Sequence, residues 1–234
     1  MALDLPPTEA SQSHQRRLLQ IWLSPSFPVG AFAYSHGLER AVEAGLVADR
    51  DDLRGWLADL FARGSIRNDL VLLTAAWRAA RSQDWDALGK ISELATALQP
   101  SAERRLESLS QGGSFVDAIE AAWPVERDSG LIRSSPVTYP VAVAIAAAAH
   151  GIALDATLEA YATAFIGSQT SAAIRLSLIG QTDAQRITAA LLPAIAAAAR
   201  HAETATLDDL GAACLSADLC SMEHETQYTR LFRS

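Results

Sequence analysis

The chain has 234 residues, of which half are hydrophobic and 6% are aromatic, and its formal net charge is −8. This acidic balance argues against a nucleic-acid partner, because phosphate binding needs a basic face. Alanine and leucine dominate the hydrophobic residues, and period-two runs of Val, Ile and Thr are missing. The composition therefore predicts an all-α fold without strands.

No targeting or membrane-spanning signal is visible in the sequence. The first residues, MALDLPPTEA, have neither a basic region nor an apolar core. The longest apolar run, residues 141–149, is shorter than the ~20 residues that cross a bilayer. Cys214 and Cys220 are the only cysteines, and their spacing would place them on different faces of a helix. We therefore expect two free thiols and a cytoplasmic location.

The first predicted elements are an arm, a helix and an elbow. Residues 1–13 are polar and contain prolines, so we expect a mobile arm. The helix that follows is indicated by apolar side chains at helical spacing. Residues 24–39, SPSFPVGAFAYSHGLE, then form a stiff elbow, because Pro25 and Pro28 stop the helix and Gly30 permits a tight turn.

The elbow carries an unusual number of ring side chains, namely Phe27, Phe32, Tyr34 and His36. Rings most often serve packing, so a buried corner is the first interpretation. The alternative is a contact surface for a partner, made of Pro28, Gly30, Phe32, Tyr34 and His36.

Several helices are predicted beyond the elbow. The first ends at Gly45, and the second is capped by Asp49 or Asp51 and ends at Gly64. The second helix has one apolar stripe that we expect to be buried, made of Leu53, Trp56, Leu57, Leu60 and Phe61. Later helices are predicted to start at Asn68 and after a cap at Asp84.

The middle of the chain contains a predicted break and a predicted loop. After Pro100, the helix in SAERRLESLSQ is expected to turn Leu106 and Leu109 inward. Gly112 and its neighbouring glycine are predicted to interrupt it. Residues 124–140 contain three prolines and are predicted to be a surface loop.

After this loop, the helical spacing of apolar residues resumes and continues nearly to residue 234. One helix is predicted over about residues 156–177, and the next is capped at residues 181–183. Pro193 within that helix predicts a kink or an early stop. A last helix is predicted over about residues 217–230. The whole chain, residues 1–234, is therefore predicted to be a single compact all-α domain of about ten helices.

No complete catalytic or metal-binding motif is apparent. His224 and Glu225 begin like a zinc-protease motif, but Tyr228 stands where the second histidine is needed. The paired acids Asp51-Asp52 and Asp208-Asp209 are interpreted as solvated first turns of helices. A phosphate-binding loop and a nucleophile elbow are also missing. The residues alone therefore predict an interaction protein rather than an enzyme, with no cofactor and no metal.

Five stretches carry a resemblance to a known family. They are LSPSFPVGAFAYSHGLERAVEAGLV, ERRLESLSQGGSF, TYPVAVAIAAAAHGI, SAAIRLSLIGQTDAQRI and DLCSMEHETQYTRLFRS. In this order they resemble the UreF family of urease accessory proteins. The sequence departs from the family pattern at Ala31, where a second glycine is usual, and at Glu223, where a basic residue is common. Gln169 and Thr170 replace a more apolar pair.

The resemblance implies an all-α homodimer that has no chemistry of its own. Proteins of this family bind the UreD (UreH) scaffold on apo-urease and recruit the GTPase UreG, so that nickel is delivered to the urease active site. To couple GTP hydrolysis to nickel delivery, a protein of this kind would have to bind the nucleotide states of the GTPase with different affinities. The small-residue runs after Pro140 and Pro193 would allow close approach of helices, within one chain or in a dimer.

Two other interpretations remain open at this point. One is a helical metal-dependent hydrolase, which intrinsic turnover would favour. The other is a helical regulator that binds a small ligand, which a discrete pocket would favour.

Three patches are predicted to bind partners. The first is the elbow surface given above. The second patch consists of Arg175, Gln181, Asp183 and Arg186, although helix capping by Asp183 would explain it as well. The third is the C-terminal segment, residues 221–234, which contains His224, Glu225, Tyr228, Arg230, Phe232 and Arg233. We expect this segment to dock on the scaffold, to contribute little to the fold, and to be partly mobile in the free protein.

Overall fold

The computed structural model describes residues 9–124 and 136–234, and the regular elements of these two ranges are all helical. The all-α prediction is confirmed. The α-helices are α1 Glu9–Trp22, α2 Leu38–Glu43, α3 Arg50–Arg63, α4 Ser65–Ser82, α5 Trp85–Ala97, α6 Ala102–Ala122, α7 Tyr139–Ala149, α8 Leu154–Arg175, α9 Gln181–Thr204 and α10 Leu215–His224. Two 3₁₀ turns occupy Ala31–Ala33 and Leu207–Asp209. Within the described ranges, no helix is long and apolar enough to cross a membrane.

Helix α7 lies at the centre of the fold. It is buried from Pro140 to Ala148 and packs between α4 and α6. Its alanines let the neighbouring helices approach closely, which accounts for the small-residue run after Pro140 inside one chain.

Helix α6 runs without interruption, so the predicted break at Gly112 is wrong. A Cβ on Gly112 would clash with the carbonyl oxygen of Val137. The glycine therefore serves a close approach between α6 and the backbone that leads into α7. The predicted inward orientation of Leu106 is also wrong, since 49% of this side chain is exposed.

Two predicted helix ends are also corrected. Helix α9 continues through Pro193, so the predicted early stop is wrong. Ile187, Leu191 and Ile195 are buried on one face of this helix, and that packing outweighs the missing N–H of an exposed proline. Helix α10 ends at His224, before the predicted limit of residue 230, because the chain turns there and runs back over the fold.

The predicted arm and loop fall partly outside the described residues. Residues 9–13 are the first part of α1 rather than arm, and Glu9 places an acidic group in the first turn, where the helix dipole favours it. Residues 1–8 of the arm and 125–135 of the loop lie outside the described residues.

Helix α3 confirms the capping and stripe predictions. The Asp49 carboxylate accepts the backbone N–H groups of Asp51 and Asp52 at 2.8 and 2.9 Å. Leu57 and Leu60 are buried against the core, while Trp56 is only partly buried. The stripe packs mainly against α9 and α4.

Replacing Leu60 with Ala should lower the free energy of unfolding by about 2–5 kcal/mol, because a fully buried side chain leaves a cavity. Leu106→Ala, at an exposed position of α6, is the matched control and should change it by less than about 0.5 kcal/mol. Chemical denaturation measures both. Equal effects of the two substitutions would contradict the assigned register of α3.

Candidate partner-binding site

The elbow is built on left-handed backbone conformations. Gly30 has φ 71° and Gly37 has φ 79°, values that glycine adopts without strain. A Cβ on Gly37 would lie 3.1 Å from the backbone nitrogen of Ser221, so this glycine also brings α2 against α10. Between the two glycines, His36 has φ 61°, which is uncommon for a residue with a side chain.

Burial divides the predicted elbow residues into two groups. Phe27, Tyr34 and His36 are buried, as the corner interpretation predicts. Phe32 is 77% exposed, and Pro28 is exposed beside it. Only the second group offers side chains to a partner.

The C-terminal segment returns to this elbow. Arg233 donates its backbone N–H to the carbonyl of Ala33 at 2.8 Å, and Ser35 donates its own to the carbonyl of Ser234 at 2.9 Å. The guanidinium of Arg175 lies 4.4 Å from the ring centroid of Phe232 and also donates to the carbonyl of Phe32. The structure thus brings together members of all three predicted patches.

Glu39 of α2 is the main receptor for the C-terminal segment. Its carboxylate accepts the backbone N–H groups of Leu231 at 2.6 Å and of Phe232 at 2.9 Å. The same carboxylate lies 3.1 Å from Nε2 of His224, whose Nδ1 lies 2.6 Å from Glu103. Because Glu39 is 7% exposed and His224 fully buried, these contacts anchor the segment inside the fold.

The prediction that the C-terminal segment contributes little to the fold is therefore wrong. Phe232 and Ser234 are buried, and the polar backbone groups around them have partners within the chain. His224 and Phe232 are consequently unavailable to a partner in this conformation. Tyr228 is fully exposed, and Arg230 is exposed while pairing with Glu103 at 2.6 Å.

Glu225 and Arg233 of the C-terminal segment are also exposed, but both contact other residues of the chain. Glu225 accepts the backbone N–H of Ala102 at 2.9 Å, which ties the end of α10 to the start of α6. The Arg233 guanidinium lies 5.9 Å from the ring centroid of Tyr34.

The second patch is split by the structure. Asp183 pairs with Arg186 at 3.0 Å and with Arg50 of α3 at 3.6 Å. Its side chain does not cap α9, whose N-cap is Gly180. Gln181 and Arg186 are exposed but stand apart from Arg175, which belongs to the elbow contacts.

Beneath the elbow lies a buried polar network that sequence reasoning missed. The Glu107 carboxylate accepts the Ser234 hydroxyl at 2.6 Å, pairs with Arg104, and lies 3.5 Å from Nδ1 of His36. Burial alone would raise the pKa of Glu107, but the Arg104 guanidinium and His36 hold it far below its usual range. Burial, helped by Arg104, lowers the pKa of His36 to about 4.

An exposed apolar stripe runs along α10. Leu215 is 71% exposed, Leu219 54% and Met222 45%, and their spacing places them on one helix face. We call these three residues the α10 stripe. Tyr228 and the 54% exposed Leu231, in the segment that follows the helix, are exposed as well. In the sequence, the helical spacing of these three apolar residues was the available signal for the stripe. Spacing alone does not show whether such a stripe faces the solvent or the core.

The described part of the chain shows no group of three or more His, Cys, Asp or Glu side chains that could hold a metal. Cys214 and Cys220 are free. Fold and site together define an all-α protein with an exposed apolar stripe on α10 and an internally anchored C-terminal segment.

Comparisons with known proteins identify the family. The family model described as UreF matches residues 47–192. The chain is 49% identical to urease accessory protein UreF of Methylobacterium radiotolerans, over 98% of this chain and 100% of that protein. It is 52% identical to the protein of that name from Xanthobacter autotrophicus, over 91% of this chain and 88% of the relative. A third relative of the same name, from Rhodopseudomonas palustris, is 49% identical over 97% of this chain and 95% of its own length. The chain belongs to the UreF family.

Glu39→Gln should loosen the C-terminal segment, because an amide has one acceptor oxygen where the carboxylate serves two backbone N–H groups. We expect the free energy of unfolding to fall by about 2–4 kcal/mol. The amides of Leu231 and Phe232 should exchange faster in hydrogen-exchange measurements. Glu43→Gln, at an exposed position of α2, should change stability by less than about 0.5 kcal/mol and leave these amides protected. Unchanged protection in the Glu39 variant would show that the carboxylate does not hold the segment.

His36 should make stability depend on pH. Its pKa of about 4 lies below the unfolded value of about 6.5, so its contribution is present above pH ~6.5 and is lost as the pH falls towards 4. Between pH 7 and pH 5 the wild type should lose about 1–2 kcal/mol more than His36→Asn, which tolerates the left-handed backbone. Asp69 titrates in the same window but is common to both proteins. Urea denaturation at several pH values measures the stability of both proteins. If the free energy of unfolding falls equally in both as the pH is lowered, His36 is not the source of the pH dependence.

Proposed function

We propose that this protein is a cytoplasmic urease maturation factor that acts as a non-catalytic adaptor. On this proposal it binds a UreD/UreH-type scaffold on apo-urease and recruits and regulates a UreG-type GTPase. Nickel is then the cargo of the assembly, delivered to the urease active site. Membership of the UreF family and the names of the relatives support the role in urease maturation.

The observation that carries the adaptor proposal is the α10 stripe. Three large apolar side chains on one face of a ten-residue helix are exposed, while Cys220 and His224 on the opposite face are buried. A contiguous apolar surface of this kind is typical of a contact site for another protein. Tyr228, four residues beyond the end of α10, is an exposed aromatic side chain, a type that is frequent among interface anchors.

We assign the scaffold to the α10 stripe and to the exposed part of the C-terminal segment. Because Glu39 and Glu103 already fix this segment, its surface is formed before binding and less ordering entropy opposes association. Four other exposed members of the predicted patches are proposed for the GTPase. They are Pro28, Phe32, Gln181 and Arg186.

The homodimer remains a proposal that rests on the resemblance. Because α7 is buried, the run after Pro140 does not support it. The run after Pro193 does support it, since Ala197 within the run is exposed.

Deleting residues 228–234 is no clean test of docking, because it would remove both backbone donors to Glu39 and the Ser234 hydroxyl that donates to Glu107. The double substitution Leu219→Ser with Met222→Ser is a better test. Both side chains are exposed, so we expect helix content and thermal midpoint to stay close to those of the wild type. Co-purification with the scaffold from cells that express a urease operon should fall at least tenfold, and urease activation with it.

Leu106→Ser is the matched control, because it removes an exposed leucine from α6, a different helix. It should leave scaffold binding unchanged. If the double variant of α10 co-purifies as much scaffold as the wild type does, the assignment of the scaffold to the α10 stripe is wrong.

A further inference from the structure

A cavity of about 350 Å³ lies between the elbow, α4, α6, α7 and α8. Its size is at the lower end of the range for small-molecule sites. Part of its wall is apolar and comes from separate elements. These apolar residues include Leu23, Val29, Phe165 and Phe232.

Two polar side chains of the wall are deeply buried and incompletely paired. Arg104 is 4% exposed, and within the described residues its Nε has no hydrogen-bond partner. Gln169 is 2% exposed, and its Oε1 likewise has no partner there. An unsatisfied buried polar group costs free energy, so the fold retains two such groups beside an open volume.

The same cavity contains an acidic group with spare hydrogen-bonding capacity. Asp69 accepts the hydroxyl of Tyr161 at 3.2 Å. Burial raises the pKa of Asp69 to about 6, against the opposing effects of Arg104 and Tyr161, so the carboxylate is ionised at neutral pH. Both Asp69 and Arg104 line the cavity.

The charges around the cavity are nearly balanced. Arg104 pairs with Glu107, and the lining contains two arginines and two carboxylates in all, because Arg175 and Asp69 are also part of it. A ligand with a net charge would have to be buried without a full counter-charge, which is costly. A ligand that carries one positive and one negative charge, or a hydrogen-bond acceptor beside donors, avoids this cost.

We propose that this cavity binds a small zwitterion with an apolar side chain, an α-amino acid being the class that fits. Its carboxylate accepts from Arg104, its ammonium group donates to Asp69 and to Gln169, and its side chain contacts the apolar wall. Guanidinium–carboxylate pairing is strong in such a site. This inference stands independently of the proposed role in urease maturation.

The probes are L-alanine, L-valine, L-leucine, L-methionine and L-phenylalanine, titrated calorimetrically into the full chain. We expect saturable binding of at least one of them below 1 mM and a higher thermal midpoint in its presence. For L-leucine, two analogues test the zwitterion. L-leucinamide lacks the carboxylate and 4-methylpentanoate lacks the ammonium group, and each should bind at least tenfold more weakly. Equal binding of the analogues would overturn the proposal, because the cavity would then not recognise a zwitterion. No saturation by any probe up to 10 mM would also overturn it and leave water as the occupant.

Gln169→Leu locates the site. The substitution removes the unpaired amide oxygen, so the thermal midpoint without ligand should not fall. Affinity for the amino acid should fall at least tenfold. Gln185→Leu, at an exposed position of α9, is the control and should bind like the wild type. Wild-type affinity in the Gln169 variant would place the ligand elsewhere and overturn the assignment.

Discussion

The burial of the Glu39 carboxylate is the interaction on which the rest of this site depends. A buried carboxylate needs hydrogen-bond donors, and here the donors come from the C-terminal segment and from His224 of α10. His224 in turn contacts Glu103 of α6. One acidic residue of a six-residue helix thus connects the elbow, α6, α10 and the end of the chain, and it turns a polar, arginine-containing segment into part of the fold.

Most helices could be predicted from local signals, because caps and glycines act through neighbouring residues. Asp49, Asp84, Gly30 and Gly45 all have the roles that their types predict. Helix α6 shows where such reasoning fails. Its buried face carries polar side chains while Leu106 is exposed, the reverse of an ordinary amphipathic pattern. The buried polar residues of α6 are Arg104, Glu107, Ser108 and Gln111. Their partners lie far away in sequence, so no local periodicity reveals them.

The sequence predicted the separate segments of the candidate site but not the contacts between them. Composition identified the elbow and the C-terminal segment as unusual, yet it could not show that they contact each other through Arg175. The α10 stripe was missed for a related reason. Apolar spacing assigns Leu215 and Leu219 to a core, and only the packing of the opposite face against α2 and α6 shows that they face solvent.

The long separation between Glu39 and its partners has a consequence for biosynthesis. The backbone donors of the C-terminal segment lie 192 and 193 residues beyond Glu39. At translation rates of 5–20 residues per second, a nascent chain exposes this carboxylate for about 10–40 s before its partners are made. The elbow, α2 and α6 therefore reach their final arrangement only late in synthesis. The surface that presents the α10 stripe is a late product of translation, so a partner that recognises it selects chains synthesised beyond this segment over shorter nascent ones.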